Sequence, residues 1–132
     1  KMIDEKITRV LEKLGLSGNE IKVYLELNAQ GSMKAGRIAK LTHLDRSSVY
    51  NSIKLLLDKG LVSYVSIGKV KHFQSVGPRR LLEYIKEQEE DLKEILPKLQ
   101  ERHEAKKVEG QVRLFKGIKG IKAVFLDIAR IK

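Results

Sequence analysis

Residues 45–76 read DRSSVYNSIKLLLDKGLVSYVSIGKVKHFQSV, and this stretch decides the fold. Asp45 is a good N-cap, with a side-chain oxygen to offer the first-turn amides, and Gly60 stands where a helix exits into a left-handed residue. The spacing predicts a helix over 46–59. At 100° per residue from Arg46, the side chains of Val49, Ile53, Leu56 and Leu57 fall within about 100° of one another, a single apolar face. Ser47, Asn51 and Lys54 point the other way. Two β-branched runs follow, Leu61 to Ile67 and Val70 to Val76, around Gly68-Lys69, the pattern of a β-hairpin.

Upstream, three more helices are expected. Ile7, Val10, Leu11 and Leu14 form one stripe of a helix from about Ile3 to Leu14, stopped by Gly15. Ser17-Gly-Asn-Glu20 reads as a capping box ahead of Ile21, Tyr24, Leu25 and Leu27, and that second helix ends at Gly31. Lys34 to Leu41 is a short third helix with Ala35, Ile38, Ala39 and Leu41 as its apolar positions. Thr42-His43-Leu44 breaks it. Two short helices joined by a tight turn, the second with a polar outer face and a hairpin after it, describe a winged helix-turn-helix. Within it, Ala39 lets the two helices approach, Leu44 and Val49 plug the core beneath, and His43 occupies a turn position that requires positive φ, where glycine is usual and histidine is tolerated.

Downstream, Pro78 opens a long helix to about Lys107. Leu81, Ile85, Gln88, Leu92, Ile95 and Leu99 recur at spacings of four and three, a coiled-coil seam with one polar position. Pro97 removes one backbone donor from it and is expected to kink or restart the helix. Gln111 to Phe115 and Gly117 to Ile131 read as a strand and a helix. The expected fold class is therefore mainly α with a small β-hairpin, a winged helix-turn-helix followed by a long coiled-coil-type helix. Three segments result: 1–77 as a DNA-binding domain, 78–109 as a helical dimerisation segment, and 110–132 as a basic strand-helix piece.

Charge follows the same divisions. The chain has 132 residues with 27 Lys and Arg, 17 Asp and Glu and no cysteine, a net charge of +10. Residues 1–77 carry +6, residues 78–109 carry −1 and residues 110–132 carry +5. Basic ends suit a polyanion. Without cysteine there is no disulfide framework and no thiol nucleophile. No run of 18 apolar residues exists, and the amino terminus lacks a signal pattern, so the expectation is a cytoplasmic protein with no membrane partner. His43, His72 and His103 lie far apart with no metal-ligand spacing, and no carboxylate pair or nucleophile elbow appears. Gly117-Ile-Lys-Gly120 lacks the remaining residues of a phosphate-binding loop. Neither an enzyme nor a bound metal or cofactor is expected.

Leu14-Gly-Leu-Ser17, Glu20, Val23-Tyr24-Leu25, Ala39, Arg46-Ser-Ser-Val-Tyr50, Ile53 and Lys59-Gly-Leu-Val62 together resemble the TrmB family of archaeal transcriptional regulators, over residues 10 to 100. The resemblance implies a DNA-binding winged helix. Val112 to Asp127, with Phe115, Gly117, Gly120 and Ile121, is similar to the opening strand and helix of that family's effector domain, which binds sugars in its best-known members. So short a piece closes no pocket, and no small-molecule effector is expected to bind this chain.

The residues themselves point to the same partner. In the major groove of double-stranded DNA, Ser47, Asn51 and Lys54 would face base edges, with Arg46, Ser48 and Tyr50 flanking toward phosphates. Lys69, Lys71 and His72, at the wing tip, would reach backbone or minor groove. Leu81, Ile85, Leu92, Ile95 and Leu99 form the expected homodimer stripe. The expectation is a sequence-specific, homodimeric transcription regulator. Two other uses of a winged helix stay open at this point, protein contact within the transcription machinery and RNA binding.

Overall fold

The computed structural model describes residues 2–117. Five helices and one hairpin follow in order: α1 (Met2–Lys13), α2 (Gly18–Gln30), α3 (Ala35–Thr42), α4 (Arg46–Asp58), β1 (Val62–Ile67), β2 (Val70–Ser75) and α5 (Arg79–Gly117). Two compact units divide at Gln88 and Glu89.

Local chemistry sets the element ends in the first unit. Ser17 Oγ accepts from the Glu20 amide at 3.2 Å and Glu20 Oε1 accepts from the Ser17 amide at 3.0 Å, a complete capping box. The other oxygen of Glu20, Oε2, lies 2.7 Å from Lys59 Nζ, so this buried carboxylate is fully partnered. At the start of α4 the Ser48 amide donates to Asp45 Oδ1 at 2.7 Å. His43 takes φ 61° and ψ 26°, the left-handed conformation expected of the turn between α3 and α4.

α2, α3, α4 and the hairpin enclose one core. Val23, Leu27, Ile38, Val49, Ile53, Leu56 and Leu61 are its wholly buried side chains, and Leu44 and Ala39 pack against it from the turn and α3. Truncating one of these leucines to alanine costs about 2–5 kcal/mol in cores of this kind. Two buried hydroxyls are satisfied locally, Thr42 donating to Ile38 O at 2.7 Å and Ser52 to Ser48 O at 2.8 Å.

The hairpin is antiparallel with Ile67 opposite Val70, leaving Gly68 and Lys69 as a two-residue loop. Gly68 has φ 65° whereas Lys69 keeps a negative φ, the sign pattern of a type II′ turn, which requires glycine first. A single bridge between Met33 and Phe73 adds the loop before α3 to the edge of β2.

In the second unit the helix corrects one expectation and narrows another. α5 runs through Pro97 without restarting, although Pro97 has no amide to give to Lys93 O. It also continues to Gly117, so Gln111 to Phe115 is helical and not a strand. Val108, Val112 and Phe115 recur at spacings of four and three, the helical period. Ion pairs at helical spacing favour the helix, Lys106 to Glu109 at 3.3 Å and Glu109 to Arg113 at 3.7 Å. The helix expected over 117–131 lies outside the described residues.

Candidate nucleic-acid interface

α4 owes its exposed face to the placement of its apolar residues. Val49, Ser52, Ile53 and Leu56 are buried, which leaves Arg46, Ser47, Tyr50, Asn51 and Lys54 in solvent. Tyr50 is 52% exposed, so it belongs to the surface rather than to the core. Ser48 is half-buried, with its amide engaged by Asp45 and its carbonyl by Ser52. That hydrogen bond from the Ser48 backbone, assisted by the serine side chain, holds the Asp45 carboxyl below its ordinary pKa.

The wing stands beside this face because Met33 and Phe73 fasten it there. Between α3, the start of α4 and the wing lies a concavity of about 900 Å³. Lys34, Arg37, Lys40, Arg46, Lys69 and Lys71 line it, together with Tyr50 and His72, and no carboxylate does. These six cations make no ion pair among the described residues. Arg46 reaches it by crossing α3 at Gly36, where an added Cβ would lie 3.0 Å from Arg46 Nη2. Lys71 Nζ sits 4.5 Å from the centre of the Tyr64 ring, and Tyr64 leans on Phe73 with ring centroids 6.0 Å apart. The wing cation is thereby placed by an aromatic stack anchored in the core.

Of the residues singled out in the sequence, the concavity gathers Arg46, Tyr50, Lys69, Lys71 and His72. Ser47, Asn51 and Lys54 occupy the neighbouring exposed side of α4. Sequence reasoning missed Lys34, Arg37 and Lys40, which α3 presents at a spacing of three. That spacing is readable in the sequence, but the apolar periodicity that marks α3 does not include it. The N-cap residue Lys34 also offers no side-chain acceptor to the first-turn amides of α3, so that end adds partial positive charge to the same concavity.

The expected dimer stripe divides in two. Leu81 is half-buried and packs, with Tyr84, against the core of its own unit. Ile85, Leu92, Ile95 and Leu99 are exposed, between 42% and 54%. Among the described residues no group of histidines and carboxylates could hold a metal, and no helix is long and apolar enough to cross a membrane.

Comparison with known proteins places these features in a family. The family model described as the sugar-specific transcriptional regulator TrmB matches residues 11–79, just over half of the chain. The HTH-type sugar sensing transcriptional regulator TrmBL1 of Pyrococcus furiosus is 33% identical over 86 residues, which are 65% of this chain and 25% of that protein. The chain thus spans about a quarter of the length of this curated relative. Among solved structures, TrmBL2, described as an archaeal chromatin protein with a novel mode of DNA binding, superposes with a TM-score of 0.68 at 23% identity, over 85% of this chain and 42% of that one. The transcriptional regulator Tm0710 of Thermotoga maritima shares the fold more distantly, with a TM-score of 0.50 at 16% identity, over 89% of this chain and 94% of its own. The winged helix, its capped helices and the match across residues 11–79 agree: this chain belongs to the TrmB family, whose members are transcriptional regulators and not enzymes.

Proposed function

We propose that this chain binds double-stranded DNA sequence-specifically as a homodimer, with residues 1–77 as the DNA-binding domain and the helix over 78–109 as the dimerisation segment. The observation that carries the reading is the concavity lined by six cations and no carboxylate, directly beside the polar face of α4. A phosphate backbone laid in it would neutralise charges that the protein leaves unpaired, while Ser47, Asn51 and Lys54 reach base edges in the major groove. Arg46, Ser48, Tyr50, Lys69, Lys71 and His72 flank them. The exposed Ile85, Leu92, Ile95 and Leu99 would be covered by a second copy, which would bring two winged helices onto one two-fold symmetric site.

Sugar sensing, named for the family and for the Pyrococcus relative, is not proposed for this stretch. Six cations around an open concavity suit an anion better than a neutral sugar. The test is a salt titration of the chain against duplex DNA and single-stranded RNA. Expected is tight duplex binding with a log-log slope of about −0.9 for each phosphate neutralised. Affinity that is flat with salt, or stronger for the RNA, would overturn the reading, and a chain that binds neither belongs to the protein-contact class.

A further inference from the structure

Arg80, in the first turn of α5, uses both edges of its guanidinium. Nε donates to Gly60 O at 3.1 Å and Nη2 to Lys59 O at 3.2 Å, the carbonyls at the exit of α4. The opposite side meets Glu87 in a two-pronged pair, Nη1 to Oε2 at 2.8 Å and Nη2 to Oε1 at 3.1 Å, with Glu83 at 3.5 Å. The guanidinium is planar, so the end of α4 and the first two turns of α5 are held at a fixed angle. Gly60 makes room for it. A Cβ at that position would lie 2.6 Å from Arg80 Nη2, and φ is already 72°.

The covalent route from α4 to α5 is indirect, passing through the whole wing and then Gly77, which has φ 123°. Leu81 and Tyr84 also anchor α5 to the core, but apolar contacts carry little directional preference. The same Lys59 whose carbonyl meets Arg80 binds Glu20 through its ammonium, so α4 is gripped at its end from both sides. We infer that Arg80 is a positioning residue for DNA specificity: it fixes the angle between α4 and the first two turns of α5, and through a paired α5 it sets the spacing of half-sites that the dimer accepts. This rests on the homodimeric DNA-binding reading. Two recognition helices on one face of a duplex must be about 34 Å apart, and a hinge at the base of α5 would relax that requirement.

The experiment uses duplexes recovered by in vitro selection with the wild-type chain, rebuilt with their half-sites moved together or apart one base pair at a time, and single half-site duplexes as a control. Wild type should prefer its best spacing by about tenfold or more over its neighbours. Arg80→Gln and Arg80→Lys, the second keeping the charge but not the fork, should cut that preference to about threefold or less. Affinity for the single half-site and dimer mass in light scattering should stay at wild-type values. Glu87→Gln leaves both carbonyl contacts in place and should give an intermediate profile, so the proposal stays testable if the Arg80 variants do not fold. A wild-type spacing profile in folded Arg80→Gln overturns the inference, as does a uniform loss of affinity at every spacing, or an unchanged Glu87→Gln profile where the Arg80 variants are unfolded. A wild-type chain with no preferred spacing would instead sink the dimeric reading, and this inference with it.

Discussion

Met33 and Phe73 exchange both of their backbone hydrogen bonds, each N–H reaching the other's carbonyl oxygen at 2.9 Å. The wing is therefore joined to the loop before α3, and both walls of the basic concavity share that fastening. Without it the hairpin would be held to the domain mainly by its own side chains.

Phe73 buries its ring in the core, so Phe73→Ala, which keeps the backbone bridge, should lower unfolding free energy by about 3–5 kcal/mol. Denaturant titration measures this. A loss under about 1 kcal/mol would mean that the wing is not part of the cooperative core.

Arg37 lines the concavity but faces no base edge in the proposed complex. Arg37→Gln should weaken binding to all duplexes alike and reduce the salt slope by about 0.9. An unchanged slope in a salt titration would place the DNA backbone elsewhere.

Asn51 and Lys54 should differ in kind. Asn51→Ala is expected to cost about 1–3 kcal/mol on the specific site and little on random duplex, as loss of an adenine contact does. Lys54→Ala is expected to lower affinity for both, because its charge on the groove-facing side of α4 also attracts the phosphates of any duplex. Competition binding with specific and random duplexes separates the two, and negligible effects from both would remove α4 from the major groove.

Asp45 caps α4 through the Ser48 amide, and that hydrogen bond depresses its pKa. Because the folded value lies below the unfolded one, the stabilisation is complete above the ordinary aspartate range and is lost as pH falls through the folded value. Asp45→Ala should melt below wild type at neutral pH, and the gap should close in acid. Thermal melts across that range check the sign; a gap that widens in acid would contradict the capping account.

Leu92 and Leu99 are exposed on the stripe proposed to pair with a second copy. Replacing both by lysine should turn a dimer into a monomer in light scattering and remove specific affinity, while weak nonspecific binding persists. A wild-type chain that is monomeric at micromolar concentration would overturn the pairing.

Features fixed by neighbours in the chain were legible in the sequence. The Ser17 and Glu20 capping box, the Asp45 cap, the left-handed His43 and the Gly68 turn each depend on a few adjacent residues, and the structure reproduces all four. What was not legible depends on distant residues. Met33 belongs to no periodic run, so nothing local marks it as the partner of Phe73. Lys34, Arg37 and Lys40 gain meaning only when the wing stands opposite them. Leu81 fits the heptad seam as well as Leu92 does, and only the position of the core assigns it inward. Near 111–115 the residues taken alone read as a strand, and the spacing back to Val108 together with the i+3 and i+4 ion pairs makes them helix.

Gly60 answers to two demands at once, a left-handed backbone and the near edge of the Arg80 guanidinium. The first alone would admit asparagine or aspartate, which tolerate that conformation. The second asks any added Cβ to push the end of the Arg80 side chain aside, and so to loosen its hold on the Lys59 and Gly60 carbonyls. Positions 60 and 80 are therefore coupled: a side chain at 60 would cost more beside Arg80 than beside a smaller residue.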